Sequence, residues 1–95
     1  MELQGLNKRE MQVLAAANRD NYAIRIYSVQ EDLWQVDLVV ANPERHFQAY
    51  TQRGELKTWR ELAGAVGYVQ ETCPDCKTVT IAIGNWTFAR IEQHV

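Results

Sequence analysis

The stretch YAIRIYSVQEDLWQVDLVVANPERHFQAYT, Tyr22 to Thr51, decides the fold. From Tyr22 the side chains alternate, with Tyr22, Ile24 and Ile26 set against Ala23, Arg25 and Tyr27. A period of two is that of a half-buried strand, whose successive side chains point to opposite faces. Glu31-Asp32 reads as a turn, after which Trp34, Val36, Leu38 and Val40 alternate with Gln35, Asp37 and Val39. Asn42-Pro43-Glu44 ends that run, since proline removes a ladder donor and favours a turn. The last run sets Phe47, Ala49 and Thr51 against His46, Gln48 and Tyr50, and Arg53-Gly54 closes it. Links this short join antiparallel neighbours, so the stretch predicts a three-strand meander.

Helices are expected on both sides of it. Asn7 with Glu10 makes a capping-box pattern, Leu6 can staple onto Met11, and Met11, Leu14 and Ala15 repeat at helical spacing up to the Asn18-Arg19-Asp20-Asn21 cluster. Thr58 with Glu61 makes a second capping box, followed by Trp59, Leu62, Ala63, Val66 and Val69 on one helical face. Cys73-Pro74-Asp75-Cys76 stops that helix, and Val79, Ile81 and Ile83 point inward from a further strand. Trp86 to Ile91 reads as a fifth strand or a short terminal helix, and its Trp, Thr, Phe and Ile favour the strand. The expectation is one α+β domain of order α-β-β-β-α-β, with an extra strand or helix and the helices packed mainly on one sheet face. Its core is Ile24, Ile26, Trp34, Val36, Leu38, Val40, Phe47, Val79, Ile81 and Ile83 under Trp59, Leu62 and Val66.

Ninety-five residues, 46% hydrophobic and 23% charged, suit one globular domain and argue against global disorder. The longest apolar runs are far too short to span a bilayer, and Met1-Glu2-Leu3-Gln4 has neither the basic start nor the apolar stretch of a secretory signal. A cytoplasmic protein with two free thiols is therefore expected, without a membrane partner. The net charge is −2. Basic residues gather only between Glu44 and Arg60, where Arg45, Arg53, Lys57 and Arg60 face Glu44 and Glu55. Strong nonspecific nucleic-acid binding rests on a broader basic surface than this.

Cys73 and Cys76 form a CxxC pair, the spacing of a redox couple or half a zinc site. Both uses meet objections. A nucleophilic thiol is activated at a helix N-terminus, whereas these cysteines follow a helix, where the dipole and Asp75 disfavour a thiolate. Zinc would need His46 and His94, the only histidines, at spacings unlike any common finger. A helix-to-strand turn with proline at its second position and small thiols tucked inward outweighs both. No Gly-rich phosphate loop, HExxH or GxSxG occurs, and neither histidine has a sequence-defined triad partner. No cofactor and no catalytic residue is expected, and an enzyme is the weakest reading.

The outward face of the meander is the better candidate. Pleat parity places Arg25, Tyr27, Asp37, Gln48 and Tyr50 on the side opposite the core list. Arg25, Tyr27, Gln48 and Tyr50 are the candidate binding residues. Tyr and Arg are enriched at protein hot spots, and the same mixture on an open sheet can stack and hydrogen-bond bases. The plainer alternative is a solvated face whose tyrosines cover Val29 and Val39, or pack against the first helix or the C-terminal segment. A protein partner or self-association through this face or the first helix is the leading expectation, with nucleic acid as the alternative and a metal or thiol-redox role at Cys73 and Cys76 behind both. Trp86, after Gly84-Asn85, is the tryptophan expected to be partly exposed and to serve a dimer contact.

The order helix, three strands, helix is similar to that of the double-stranded-RNA-binding domain. That family presents a basic cluster at the start of its second helix; here Arg60 is followed by Glu61 and an apolar stripe, so its activity is not carried over. The segment Arg53-Gly54-Glu55-Leu56-Lys57-Thr58-Trp59-Arg60-Glu61-Leu62, with Ala65 and Val69 beyond, resembles a stretch of small accessory proteins of bacterial plasmids and integrative elements. The resemblance spans about a fifth of the chain. It implies a mobile-element accessory protein and assigns no site residues.

Overall fold

In a computed structural model that describes residues 4–30 and 32–89, Asn7 opens the first helix as the capping box requires. Its side chain accepts from the Glu10 backbone N–H, and the Glu10 carboxylate accepts from the Asn7 N–H, both at 2.9 Å. Helix α1, Lys8–Ala17, ends at Asn18 and buries Met11 and Ala15. A short strand that the sequence reading missed, β1 (Gln4–Leu6), precedes it. The meander is β2 (Tyr22–Gln30), β3 (Leu33–Val40) and β4 (Arg45–Ala49), followed by α2 (Leu62–Thr72), β5 (Val79–Ile83) and β6 (Trp86–Ala89). The strand alternative therefore holds for Trp86 to Ala89, whereas Arg90, Ile91 and His94 lie outside the described residues, as does Glu31 of the first turn.

The class is α+β, but the sheet is mixed, with six strands in the order β1-β4-β3-β2-β5-β6. β2–β3, β3–β4 and β5–β6 are antiparallel, whereas β1–β4 and β2–β5 are parallel. Strands β1, β2, β4 and β5 consequently run one way, and β3 and β6 the other. Each helix is then a crossover between parallel strands. α1 carries the chain from β1 past two strands to β2, and α2 carries it from β4 past two strands to β5. Both crossovers move the same way along the sheet, and such connections share one hand, so both helices fall on the same face. They touch each other there. The other face receives no helix among the described residues.

The core lies between that helical pair and the sheet. Ile24, Ile26, Val36, Leu38, Val40, Phe47 and Ala49 point into it from the strands, meeting Met11, Ala15, Ala65, Tyr68 and Val69. Two sequence expectations fail here. Ile83, assigned to the core, is exposed; it is the last residue of β5, beside the Gly84-Asn85 turn. The Thr58–Glu61 capping box does not form. Trp59 instead pairs with Trp34 in an antiparallel bridge, its N–H donating to the Trp34 carbonyl at 3.0 Å and its carbonyl accepting at 2.7 Å. That pairing holds Trp59 in strand geometry, and a bend at Arg60 and Glu61 leads into α2, with Glu61 at its start making no side-chain cap.

Candidate polar face of the sheet

Register decides which outward side chains meet. Arg25 on β2 lies opposite Asp37 on β3, which lies opposite Gln48 on β4; Tyr27 lies opposite Gln35 in the next row. Tyr27 is the hub. Its hydroxyl reaches Gln35 Oε1 at 2.9 Å and Asp37 Oδ1 at 3.2 Å, and Gln48 Nε2 donates to it at 3.5 Å. A hydroxyl has one proton, so Gln35 and Asp37 compete for it. The Arg25 guanidinium sits 4.8 Å from the centre of the Tyr27 ring, a cation–π arrangement that leaves the arginine exposed above the cluster.

Gln35 and Asp37 are only 8% and 6% exposed, although no helix covers this face. Their neighbours shield them. Burial pushes the Asp37 carboxyl above its ordinary range, while the Tyr27 hydroxyl, Arg25 and His46 oppose the shift. Burial likewise raises the Tyr27 phenol; the Gln48 hydrogen bond works against the rise and the Asp37 charge adds to it.

Of the four candidate binding residues, Arg25, Tyr27 and Gln48 are brought together. Tyr50 shares the face but stands apart from the cluster, with its ring lying over Gly5 of β1 where any side chain would collide. Tyr27 and Tyr50 are both half-buried and neither is sealed under another element. Gln35 was not singled out by the sequence reading. Its alternation with Val36 was the available signal, but its burial comes from the register of three strands.

Two residues of the basic stretch, Arg45 and Lys57, do not join this face. Arg45 reaches over the ring of core residue Phe47 at 5.8 Å, and Lys57 lies 5.2 Å from the Tyr68 ring on α2, both toward the helical side. His46 is half-buried beside Glu44 at 3.5 Å.

Cys73 and Cys76 occupy the expected turn. Cys73 caps the C-terminal end of α2, and the Cys76 N–H donates to the Cys73 carbonyl at 3.1 Å. Both cysteines are buried and neither is in a disulfide, and the Cys76 thiol donates to the Thr78 carbonyl at 3.1 Å. Burial raises the Cys73 thiol, with the Thr72 hydroxyl partly offsetting it. Ion pairs from Lys77 to Asp20 at 2.7 Å and from Arg19 to Asp75 at 3.6 Å tie the turn to the α1–β2 loop. No group of three or more His, Cys, Asp or Glu gathers to hold a metal among the described residues. No helix among them is long and apolar enough to cross a membrane. Comparison with protein-family models, curated proteins and solved structures finds no match for this chain.

Proposed function

We propose that this protein is a non-enzymatic binding module that presents the helix-free face of its sheet to a protein partner. The observation that carries the reading is the cluster around Tyr27, a buried carboxylate and two amides crowned by an exposed, ring-stacked arginine. Arg and Tyr with a fixed orientation lose little entropy on docking, and such anchors carry interface energy. A protein partner is favoured over nucleic acid because Arg45 and Lys57 point to the opposite side, leaving Arg25 beside an acidic residue without a phosphate-tracking row. The resemblance of Arg53 to Leu62 adds the accessory role in bacterial plasmids or integrative elements.

Site-specific photocrosslinking in cells tests this. A crosslinking side chain at position 25 should yield a discrete protein adduct, and one at exposed Val13 on α1 should not. No adduct at 25, or the same adduct from both positions, refutes the reading. Adducts at 25 that consist of nucleic acid replace it with the alternative.

A further inference from the structure

The two edges of the sheet differ. β1 is three residues long and carries polar Gln4 and Gly5. β6 reads Trp-Thr-Phe-Ala, without a charge or a proline along its length. Natural edge strands are blunted by charge, proline, bulges or shortness, because an open row of backbone groups templates pairing with another chain. β6 lacks the charge and the proline and adds an apolar flank: Trp86 is 72%, Phe88 52% and Ile83 42% exposed. Phe88 of this flank also lines a groove of about 540 Å³ between α2 and β5–β6, together with Val66, Val69, Ile81, Cys73 and Cys76.

We infer that the occupant of this flank is a second copy of the chain, paired antiparallel through β6 about a two-fold axis at Thr87. Three observations select it. An antiparallel strand pair is self-complementary, so one edge suffices for a closed dimer. Without charges, β6 meets its copy with no like-charge repulsion. The pleat then limits the register to those that keep Trp86 and Phe88 on one face, and pairing the two aromatics with each other selects the one centred on Thr87. Residues directly opposite each other in antiparallel strands share a face, and Trp86 and Phe88 pair with Ile83 and Ile81 on the helical side of the sheet. A two-fold at Thr87 sets Trp86 of each copy against Phe88 of the other, whereas a shift by one residue would set Trp86 against the outward-facing Ala89. The two aromatics contribute roughly 550 Å² over both copies, taking about 200–250 Å² for each side chain and the exposures above. With Ile83 and the edge backbone added, the interface stays below about 1,200 Å², the range of weak, reversible association, so the dimer forms and dissociates with concentration. The pair forms one continuous sheet, keeps all helices on one side and leaves the Tyr27 face open. It therefore stands apart from the proposed partner face.

Sedimentation velocity across concentration tests the dimer, with Trp86→Lys and Phe88→Lys each expected to weaken it at least about tenfold while circular dichroism stays unchanged. Thr87→Cys tests the register. Opposed antiparallel Cα atoms stand about 4.5–5.5 Å apart, within disulfide reach, so mild oxidation should yield a covalent dimer, and Thr80→Cys on β5 should not. Wild-type protein that stays monomeric at several hundred micromolar overturns the inference. So does a dimer that both lysine variants leave intact, or one in which Thr87→Cys fails to crosslink. Arg25→Glu should not alter the dimer, so failure of the partner-face reading and failure of this one can be told apart.

Discussion

Tyr68 offers the sharpest energetic test of the fold. Its ring is buried on α2, packed 4.9 Å from the Trp59 ring at 50°, yet its hydroxyl is buried with no hydrogen-bond partner among the described residues. An unpaired buried hydroxyl costs about 1–3 kcal/mol against water, and removing it forfeits only a few tenths in dispersion. Tyr68→Phe keeps the ring, the Trp59 contact and the Lys57 cation–π approach at 5.2 Å, so it should stabilise the protein by about 1 kcal/mol. For a domain of this length that is a rise of about 4–8 °C in Tm. The assay is urea and thermal unfolding followed by circular dichroism, with an unchanged m value. A variant less stable than wild type by about 1 kcal/mol would refute the reasoning, since the hydroxyl would then have to be bonded. Alkaline pH supplies an independent readout. Burial, with the nearby Cys73 adding to it, pushes the Tyr68 phenol up to about 12, against about 10 when unfolded. The folded state holds that proton longer, so its contribution is complete below pH 10 and is lost as pH rises toward 12. Tyr68→Phe should flatten that limb, leaving the part due to Tyr22, which burial and the two thiols also raise.

Three further outcomes follow from the same structure. Gly5→Ala places a methyl inside the Tyr50 ring and should lower the unfolding free energy measured in urea by about 1–3 kcal/mol, whereas Gly67→Ala, with open space around it in α2, should raise it by about 1 kcal/mol. Asp37 binds its proton more tightly folded than unfolded, so its contribution is fully present below the unfolded value near 3.8 and is lost as pH rises through the folded value. Asp37→Asn keeps an acceptor for Tyr27 and should remove that decline in thermal scans between acid and neutral pH. A variant much weaker than wild type at neutral pH would show that Arg25 and Tyr27 more than compensate the charge. Cys73 and Cys76, both buried, should react with a thiol reagent about 100-fold more slowly in the native protein than in denaturant; fast native reaction would revive the redox reading.

What was legible in the sequence was whatever local physics controls. The Asn7–Glu10 box formed because both partners lie within one turn. The alternation from Tyr22 to Tyr50 sorted the core face from the outward face, since the pleat leaves only two directions. Thr58–Glu61 carried an equally good box, yet Trp59 was claimed by Trp34, a partner 25 positions earlier that no local pattern encodes. β1 escaped notice for the same reason, with its parallel partner Phe47 43 positions away from Gln4 and only three residues to show a period. The Tyr27 hub was half visible. Tyr27, Asp37 and Gln48 shared a face by parity, but which of them touch depends on the bulge-corrected register of β2 on β3.

The hydrogen bonds at Tyr27 also set the terms on which anything can dock there. Gln35 and Asp37 compete for its one proton and Gln48 donates to it, so a visiting acceptor that engages the hydroxyl must take over that proton, and a visiting donor meets whichever carbonyl or carboxylate oxygen the hydroxyl leaves. Exchange adds little net enthalpy, and a visitor that covers the half-buried Tyr27 and displaces Gln48 without replacing its donor strands the Tyr27 oxygen. Such a surface gives up affinity and gains discrimination, rejecting near-matches by the full cost of an unpaired group.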